Sequence, residues 1–333
     1  MTLRAAVIGL GVGERHVDGY RAHPGCEVAA LCDFSPEKLA EVGARHPGVR
    51  LTTDPDEILD DPSIDVVSIA SWDNFHADQI VRAVRAGKHV FAEKPLCLTR
   101  PELDAVTLAL RENPDVHLAS NLILRLCPRF RELKRRVAAG DLGRVYYMEA
   151  DYNYGRIHKI VDGWRGAIDY YSVFLGGAVH MVDLLLWLTG GTVTEVSAMG
   201  NNLSTAGTPF RHNDLTVALL RFADGAVAKV CANFACVASH FHRLTLYGDK
   251  ATFENTPEKG LLTISRDHDA IPLVLDQPYP GAAKGELVAQ YVARLLNGDR
   301  QVLLAHREGV LAAMRVCLAV EDSVRLGRPV AVE

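Results

Sequence analysis

Three glycines, Gly9, Gly11 and Gly13, follow a short β-branched run from Arg4 to Gly9 and open a helical pattern spanning roughly residues 14 to 23. At such a turn the backbone amides and the helix N-terminus meet a pyrophosphate with no side chain in the way. The spacing is Gly-x-Gly-x-Gly, one residue shorter than the usual dinucleotide pattern, so the glycines alone also describe a plain tight turn. Asp33 adds to them. It ends the next apolar run, 20 residues after Gly13, where a carboxylate accepts hydrogen bonds from adenosine ribose hydroxyls. A carboxylate there repels a 2′-phosphate and no Arg occupies 34 to 36, which favours NAD over NADP.

The elements that would position these residues are legible in the pattern of apolar runs. Up to about residue 120, runs at Arg4 to Gly9, Glu27 to Cys32, Ile64 to Ala70, His89 to Ala92 and Val116 to Ser120 alternate with helical patterns near 14 to 23, 36 to 46, 74 to 86 and 99 to 112. Most of these runs are continuously apolar, as parallel strands buried on both faces must be. Ser35 and Pro36 form a helix start, and Gly87 a helix end. Beyond a helix near Arg129 to Ala139, Asp224-Gly225 and Gly248-Asp249 mark hairpin turns. The strands expected there are Val145 to Asn153, Val193 to Asn201, Leu215 to Phe222, Ala226 to Ala235, Arg243 to Tyr247 and Leu261 to Ser265, with helices at Gly177 to Leu188, 284 to 297 and 306 to 326. The fold expected is α/β: a doubly wound parallel Rossmann sheet over residues 1–122, then an α+β domain with a mostly antiparallel open sheet over 123–333.

Composition narrows the function. The 333 residues suit two domains, and 41 acidic against 36 basic residues leave a formal charge of −5. A sequence pI near 6.2 leaves no electrostatic footprint for nucleic acid. No run approaches the roughly 18 uninterrupted apolar residues of a membrane span. The apolar stretch from Ala5 to Val12, broken by Gly9 and Gly11, is unlike a signal peptide, so a cytoplasmic protein is expected. Seven scattered cysteines include no Cys-x-x-Cys pair. His240 and His242 share a face of a probable strand with no partner spaced to complete a metal set, so no metal is expected.

A more specific signal lies at Ala86-Gly87-Lys88-His89, which leads into Glu93-Lys94-Pro95-Leu96. Here the sequence resembles the Gfo/Idh/MocA family of NAD(P)-dependent oxidoreductases, whose signature is an Ala-Gly-Lys-His strand followed by Glu-Lys-Pro. The resemblance continues at His16, His76, Arg125, Pro128, Trp164-Arg165, the stretch Gly177 to Asp183 with His180, and Gly327-Arg328-Pro329-Val330. It implies that Lys94 lies beside the nicotinamide ribose and the substrate hydroxyl, and that His180 faces the same carbon. The cofactor set it implies is Gly9, Gly11, Val12, Gly13, Asp33, Ser71, Trp72, Asn74, His76, Glu93 and Lys94. The substrate set is Lys94, Tyr152, Trp164, His180 and Asp183. By themselves, a strand-end lysine and a helix histidine beside an apolar core are ordinary residues; the resemblance gives them roles.

Chemistry agrees with that assignment. Removing a hydride from a secondary alcohol leaves a proton on oxygen, which a base within hydrogen-bond reach must take. Lysine, with a pKa near 10.4, is rarely deprotonated at neutral pH, whereas histidine near 6.5 is mostly ready. His180 is the expected base, and Lys94 the cation that holds developing negative charge on oxygen. One position departs from the family: an aspartate is common four residues before this histidine, and here that residue is Gly176. Asp183, on the same helical face as His180, is a candidate to orient it. Tyr152, Asn153, Tyr154, Arg156, His158 and Tyr170 form a polar and aromatic set suited to a polyhydroxylated ring, or equally to a core.

The function expected is an NAD-dependent dehydrogenase acting on a ring alcohol of a sugar, inositol or related molecule. An NAD-dependent glycosidase would instead release free sugar without net NADH, and a non-enzymatic NAD or sugar sensor would turn over nothing. An uncovered sheet face in the second domain further predicts a homodimer or homotetramer.

Overall fold

The computed structural model describes residues 2–281, 283 and 285–333. From the N-terminus it runs β1 (Leu3–Ile8), α1 (Glu14–Arg21), β2 (Cys26–Cys32), α2 (Pro36–Arg45), β3 (Arg50–Thr52), α3 (Asp56–Leu59), β4 (Val66–Ile69), α4 (His76–Arg85), β5 (His89–Ala92), α5 (Arg100–Glu112) and β6 (Leu118–Ser120). These six strands form one parallel sheet in the order β3-β2-β1-β4-β5-β6. That order reverses between β1 and β4, which opens the crevice where doubly wound sheets bind nucleotides. The local chemistry follows the sequence: the Ser35 hydroxyl accepts from the Lys38 amide with Pro36 behind it, and Thr99 with Glu102 makes a full capping box on α5.

The chain continues with α6 (Pro128–Ala138), β7 (Val145–Asn153), α7 (His158–Val161), α8 (Val179–Thr189), β8 (Val193–Asn201), β9 (Leu215–Phe222), β10 (Val227–Asn233), β11 (Phe241–Gly248), β12 (Thr252–Asn255), β13 (Gly260–Thr263) and β14 (Leu273–Leu275). After α9 (Glu286–Asn297) and α10 (Arg300–Leu326), β15 (Val330–Ala331) ends it. The second sheet has nine strands in the order β14-β13-β12-β11-β7-β10-β9-β8-β15, antiparallel except where β10 runs parallel to β7. α8 lies against β7 and α6, and eight of its eleven residues are buried. This explains why it is apolar all round rather than on one stripe.

The chain divides into two compact units, one of residues 1–121 with 283–311, the other of 122–282 with 312–333. The sequence placed everything beyond 122 in the second domain; 283–311 instead joins the first. Packing explains it. Gly19 of α1 has no side chain because a Cβ there would lie 2.4 Å from Gly285 O and 2.6 Å from Val288 Cβ. The Tyr291 hydroxyl donates to His117 O at 2.7 Å, and the Ser120 amide donates to His306 Nε2 at 3.4 Å. The last long helix also starts at Arg300, a turn and a half before the expected 306. Among the described residues no helix is long and apolar enough to cross a membrane.

Candidate active site

The first unit builds its site at the β1 end. Gly9 adopts φ 88°, and a Cβ there would lie 2.2 Å from Ala70 O. One on Gly13 would meet Gly9 O at 2.0 Å. These two glycines let the turn close on itself and on the end of β4. Gly11 differs: a Cβ there would meet nothing within 4 Å. Its place in the pattern is therefore an open cradle on the outer side of the turn. Asp33 sits beneath this loop, accepting from the Leu10 amide at 2.7 Å and the Ser35 amide at 3.0 Å. Two of its lone-pair positions are used, which leaves capacity for ribose hydroxyls. Val12 is exposed, as is Asn74, and Trp72 meets Phe34 edge to face at 5.3 Å. Ser71 Oγ donates to Gln79 at 2.7 Å.

Lys94 follows β5 in a stretch tied down at several points. His16 Nε2 lies 3.2 Å from Glu93 Oε1 and its Nδ1 3.1 Å from Ser68 Oγ, while Asn121 Nδ2 donates to Glu93 Oε1 at 2.6 Å. Burial pushes the Glu93 carboxyl up, but His16, the Lys94 ammonium and Asn121 outweigh it and hold the group at about 2. Glu93 is thus an anion fixed beside Lys94. The buried His76 ring lies 2.7 Å from Pro95 O and 3.0 Å from Ser71 O, linking the loops that follow β4 and β5.

The second unit places His180 in the first turn of α8. Just before it, Phe174–Ala178 winds as a π turn in which Gly176 and Gly177 let aromatic rings pack directly on the backbone. A Cβ on Gly177 would lie 2.7 Å from Tyr152 and Phe234, and one on Gly176 would lie 2.3 Å from the Tyr171 hydroxyl. Single π turns of this kind are frequent at functional sites. The buried His180 ring stacks on Tyr152 at 5.9 Å, and Tyr152 is further surrounded by Tyr154, Phe234, His240 and His242. The Tyr279 hydroxyl accepts from the His242 amide at 2.9 Å and lies 2.7 Å from its Nδ1. Burial first, and His240 second, bring His242 down to about 3. It is a neutral wall, not a proton carrier at physiological pH.

Asp183 lies one turn further along α8 than His180 and is paired from another segment. Arg125 grips both carboxylate oxygens, Nε to Oδ2 at 2.9 Å and a second nitrogen to Oδ1, and the carboxylate is fully buried. Burial raises the Asp183 carboxyl and Arg125 opposes this. A three-residue spacing put Asp183 on the His180 face of the helix, and the buried guanidinium of Arg125 holds both of its oxygens in an internal ion pair. Trp164 is half-buried under the Arg165 guanidinium at 4.7 Å. Sequence reasoning passed over Tyr171, Phe234 and Tyr279. Tyr152 and Tyr154, together with the spacing of His240 and His242, were the parts of this wall that the sequence singled out.

Two family models match the chain: an oxidoreductase family with an NAD-binding Rossmann fold over residues 3–120, and the GFO/IDH/MocA C-terminal domain over 130–254. The chain belongs to the Gfo/Idh/MocA family. Within it, the chain is 27% identical to a myo-inositol 2-dehydrogenase of Thermotoga maritima, over 74% of this chain and 73% of that protein. It is 28% identical to an NAD-dependent scyllo-inositol 2-dehydrogenase of Bacillus subtilis, over 98% and 96%. A levoglucosan dehydrogenase solved with NADH and levoglucosan has the same fold, with a TM-score of 0.85 and 21% identity over 100% of this chain and 99% of that one. As a Gfo/Idh/MocA protein this chain is an NAD-dependent oxidoreductase. The open cradle at Gly11 and the carboxylate of Asp33 fit that cofactor, which supplies a hydride acceptor when bound.

Proposed function

We propose that the chain oxidises a ring secondary alcohol of a polyhydroxylated substrate, a sugar, inositol or derivative, with His180 as base and Lys94 as electrostatic partner. The observation that carries this reading is the position of His180: buried, stacked on Tyr152, and the first titratable side chain after the π turn. The inositol and levoglucosan dehydrogenases among its relatives support the substrate class.

In this reading His180 takes the hydroxyl proton as hydride leaves the same carbon, and the Lys94 ammonium holds the negative charge that develops on oxygen. Glu93, anchored by His16 and Asn121, keeps the Lys94 segment in place. Gly9, Gly11, Val12, Gly13, Asp33, Ser71, Trp72, Asn74 and His76 would line the cofactor, and Tyr152 and Trp164 the substrate. Supplying NAD with a panel of sugars, inositols and sugar acids tests it: NADH absorbance rises with at least one member. Full turnover by Lys94→Ala on that substrate would contradict the assigned role.

We further propose a homodimer or homotetramer assembled on the second sheet. Met199, Val217, Cys231 and Asp151 lie in register across β8, β9, β10 and β7, with Leu219 and Lys229 in the next row. Met199 and Leu219 are exposed, a face that association would bury. The seven cysteines are all free, which suits the reducing cytoplasm.

A further inference from the structure

The turn that leads into His180 begins at a serine whose hydroxyl is fully occupied. Ser172 Oγ accepts from the Phe174 amide at 3.1 Å and from the Leu175 amide at 3.0 Å, and it donates to Glu321 Oε1 at 2.6 Å. A hydroxyl has one proton and two lone pairs, so no capacity is left over. The Ser172 carbonyl accepts from the Gly176 amide at 2.9 Å. One serine therefore holds the first two amides of the π turn Phe174–Ala178 and the amide of Gly176 within it, and Glu321 fixes the direction of its hydroxyl.

The second oxygen of Glu321 accepts from the Tyr170 hydroxyl at 2.6 Å. Between the two lies Tyr171, buried, its hydroxyl 2.3 Å from where a Cβ of residue 176 would stand. Three consecutive residues are thus fastened on two sides: Tyr170 and Ser172 to α10, Tyr171 to the backbone of the π turn. Glu321 reaches them from a fixed platform. Two residues on, Ser323 Oγ accepts from the Ala198 amide of β8 at 3.0 Å and donates to Arg328 O at 2.7 Å. Burial raises the Glu321 carboxyl, and the Ser172 and Tyr170 hydroxyls oppose this by favouring the anion.

We propose that Glu321 is a positioning residue for the reaction: through Ser172 it sets the π turn, and with it the direction in which His180 faces from α8. The inference rests on His180 as the base in the reading above. Because a helix has 3.6 residues per turn, the extra residue of a π turn rotates everything beyond it by about 100°. Loss of that residue from the turn would carry the His180 ring off Tyr152, on which it now stacks. A carboxylate suits the task because it accepts from both hydroxyls at once in charge-assisted bonds. An amide in its place offers one acceptor oxygen and one donor nitrogen, so one hydroxyl must turn its proton away; if that is Ser172, its lone pairs leave the Phe174 and Leu175 amides.

The test uses the full chain labelled with ¹³C at histidine Cε1, and it needs no substrate. The His180 ring signal is assigned by its loss in His180→Gln. Glu321→Gln and Ser172→Ala should shift that signal, while those of His46 and His89 in the first unit stay in place. Ser172→Thr, which keeps the hydroxyl, should leave it at the wild-type position, and Tyr170→Phe should move it less than Glu321→Gln does. With NAD and myo-inositol, Glu321→Gln should lower kcat by ~10-fold or more with KM within a few-fold, since a displaced base slows proton removal and spares binding. Should Ser172→Ala not fold, Glu321→Gln and Tyr170→Phe carry the comparison. A lowered melting temperature with the His180 signal unmoved in Glu321→Gln would make Glu321 a stabilising contact only and overturn the inference. If His180→Gln is slow while that signal does not move, the positioning role alone fails. If His180→Gln oxidises myo-inositol as fast as wild type, the base reading fails and the positioning role with it.

Discussion

Gly176 and Tyr171 occupy one volume, and the consequence at the residue scale is measurable. Gly176→Ala pushes a methyl group against the Tyr171 hydroxyl, 2.3 Å from where it would sit, and should cost about 1–3 kcal/mol in urea unfolding. Combined with Tyr171→Phe, the cost should fall below the sum of the two single changes, because the colliding atom is gone. His242 gives a pH prediction. Its folded-state pKa of about 3 lies below the ordinary 6.5, so the unfolded chain binds the proton more readily. The stability it contributes is complete above pH ~6.5 and is lost as pH falls toward ~3. His242→Gln should flatten that part of a urea-midpoint profile; an identical slope would show that other groups carry it.

At the scale of elements, the buried pair joining Arg125 to Asp183 on α8 makes the sharpest prediction. Asp183→Asn leaves a guanidinium without its counter-charge and should cost about 3–5 kcal/mol, read as a lowered melting temperature. Much of this architecture was legible in the sequence. β7, β8 and β9 have the expected bounds because runs of eight or nine residues with alternating burial leave little choice of period, and β5 has them because the Ala-Gly-Lys-His and Glu-Lys-Pro signature frames it. The short pieces β3, β12, β14 and β15 were not legible. Two to four residues at or near a sheet edge carry no periodic signal, and the pairing of such pieces is set by the neighbouring strands. The π turn was hidden for a related reason. Gly176-Gly177 is compatible with an ordinary helix start, and only the rings of Tyr171, Tyr152 and Phe234 pressing on that backbone account for the extra residue. The Arg125 partner of Asp183 was not legible either, because spacing along one helix says nothing about a buried arginine arriving from another segment.

The whole molecule couples cofactor to stability and, in our proposal, one chain to another. NAD at about 100 times its dissociation constant should stabilise the folded chain by ~2.7 kcal/mol, and Asp33→Ala should abolish most of that gain at the same concentration. Light scattering should report a dimer or tetramer, and Leu219→Glu should shift it toward monomer; a monomer at all concentrations would contradict assembly on the sheet face. The most direct test of the central claim is the single-turnover rate of NADH formation in Lys94→Ala and His180→Ala against wild type, on whichever probe the panel selects, with NAD affinity measured alongside. The account predicts a loss of at least ~100-fold in each variant with NAD affinity within a few-fold of wild type for His180→Ala. Single-turnover rates equal to wild type in either variant would contradict it.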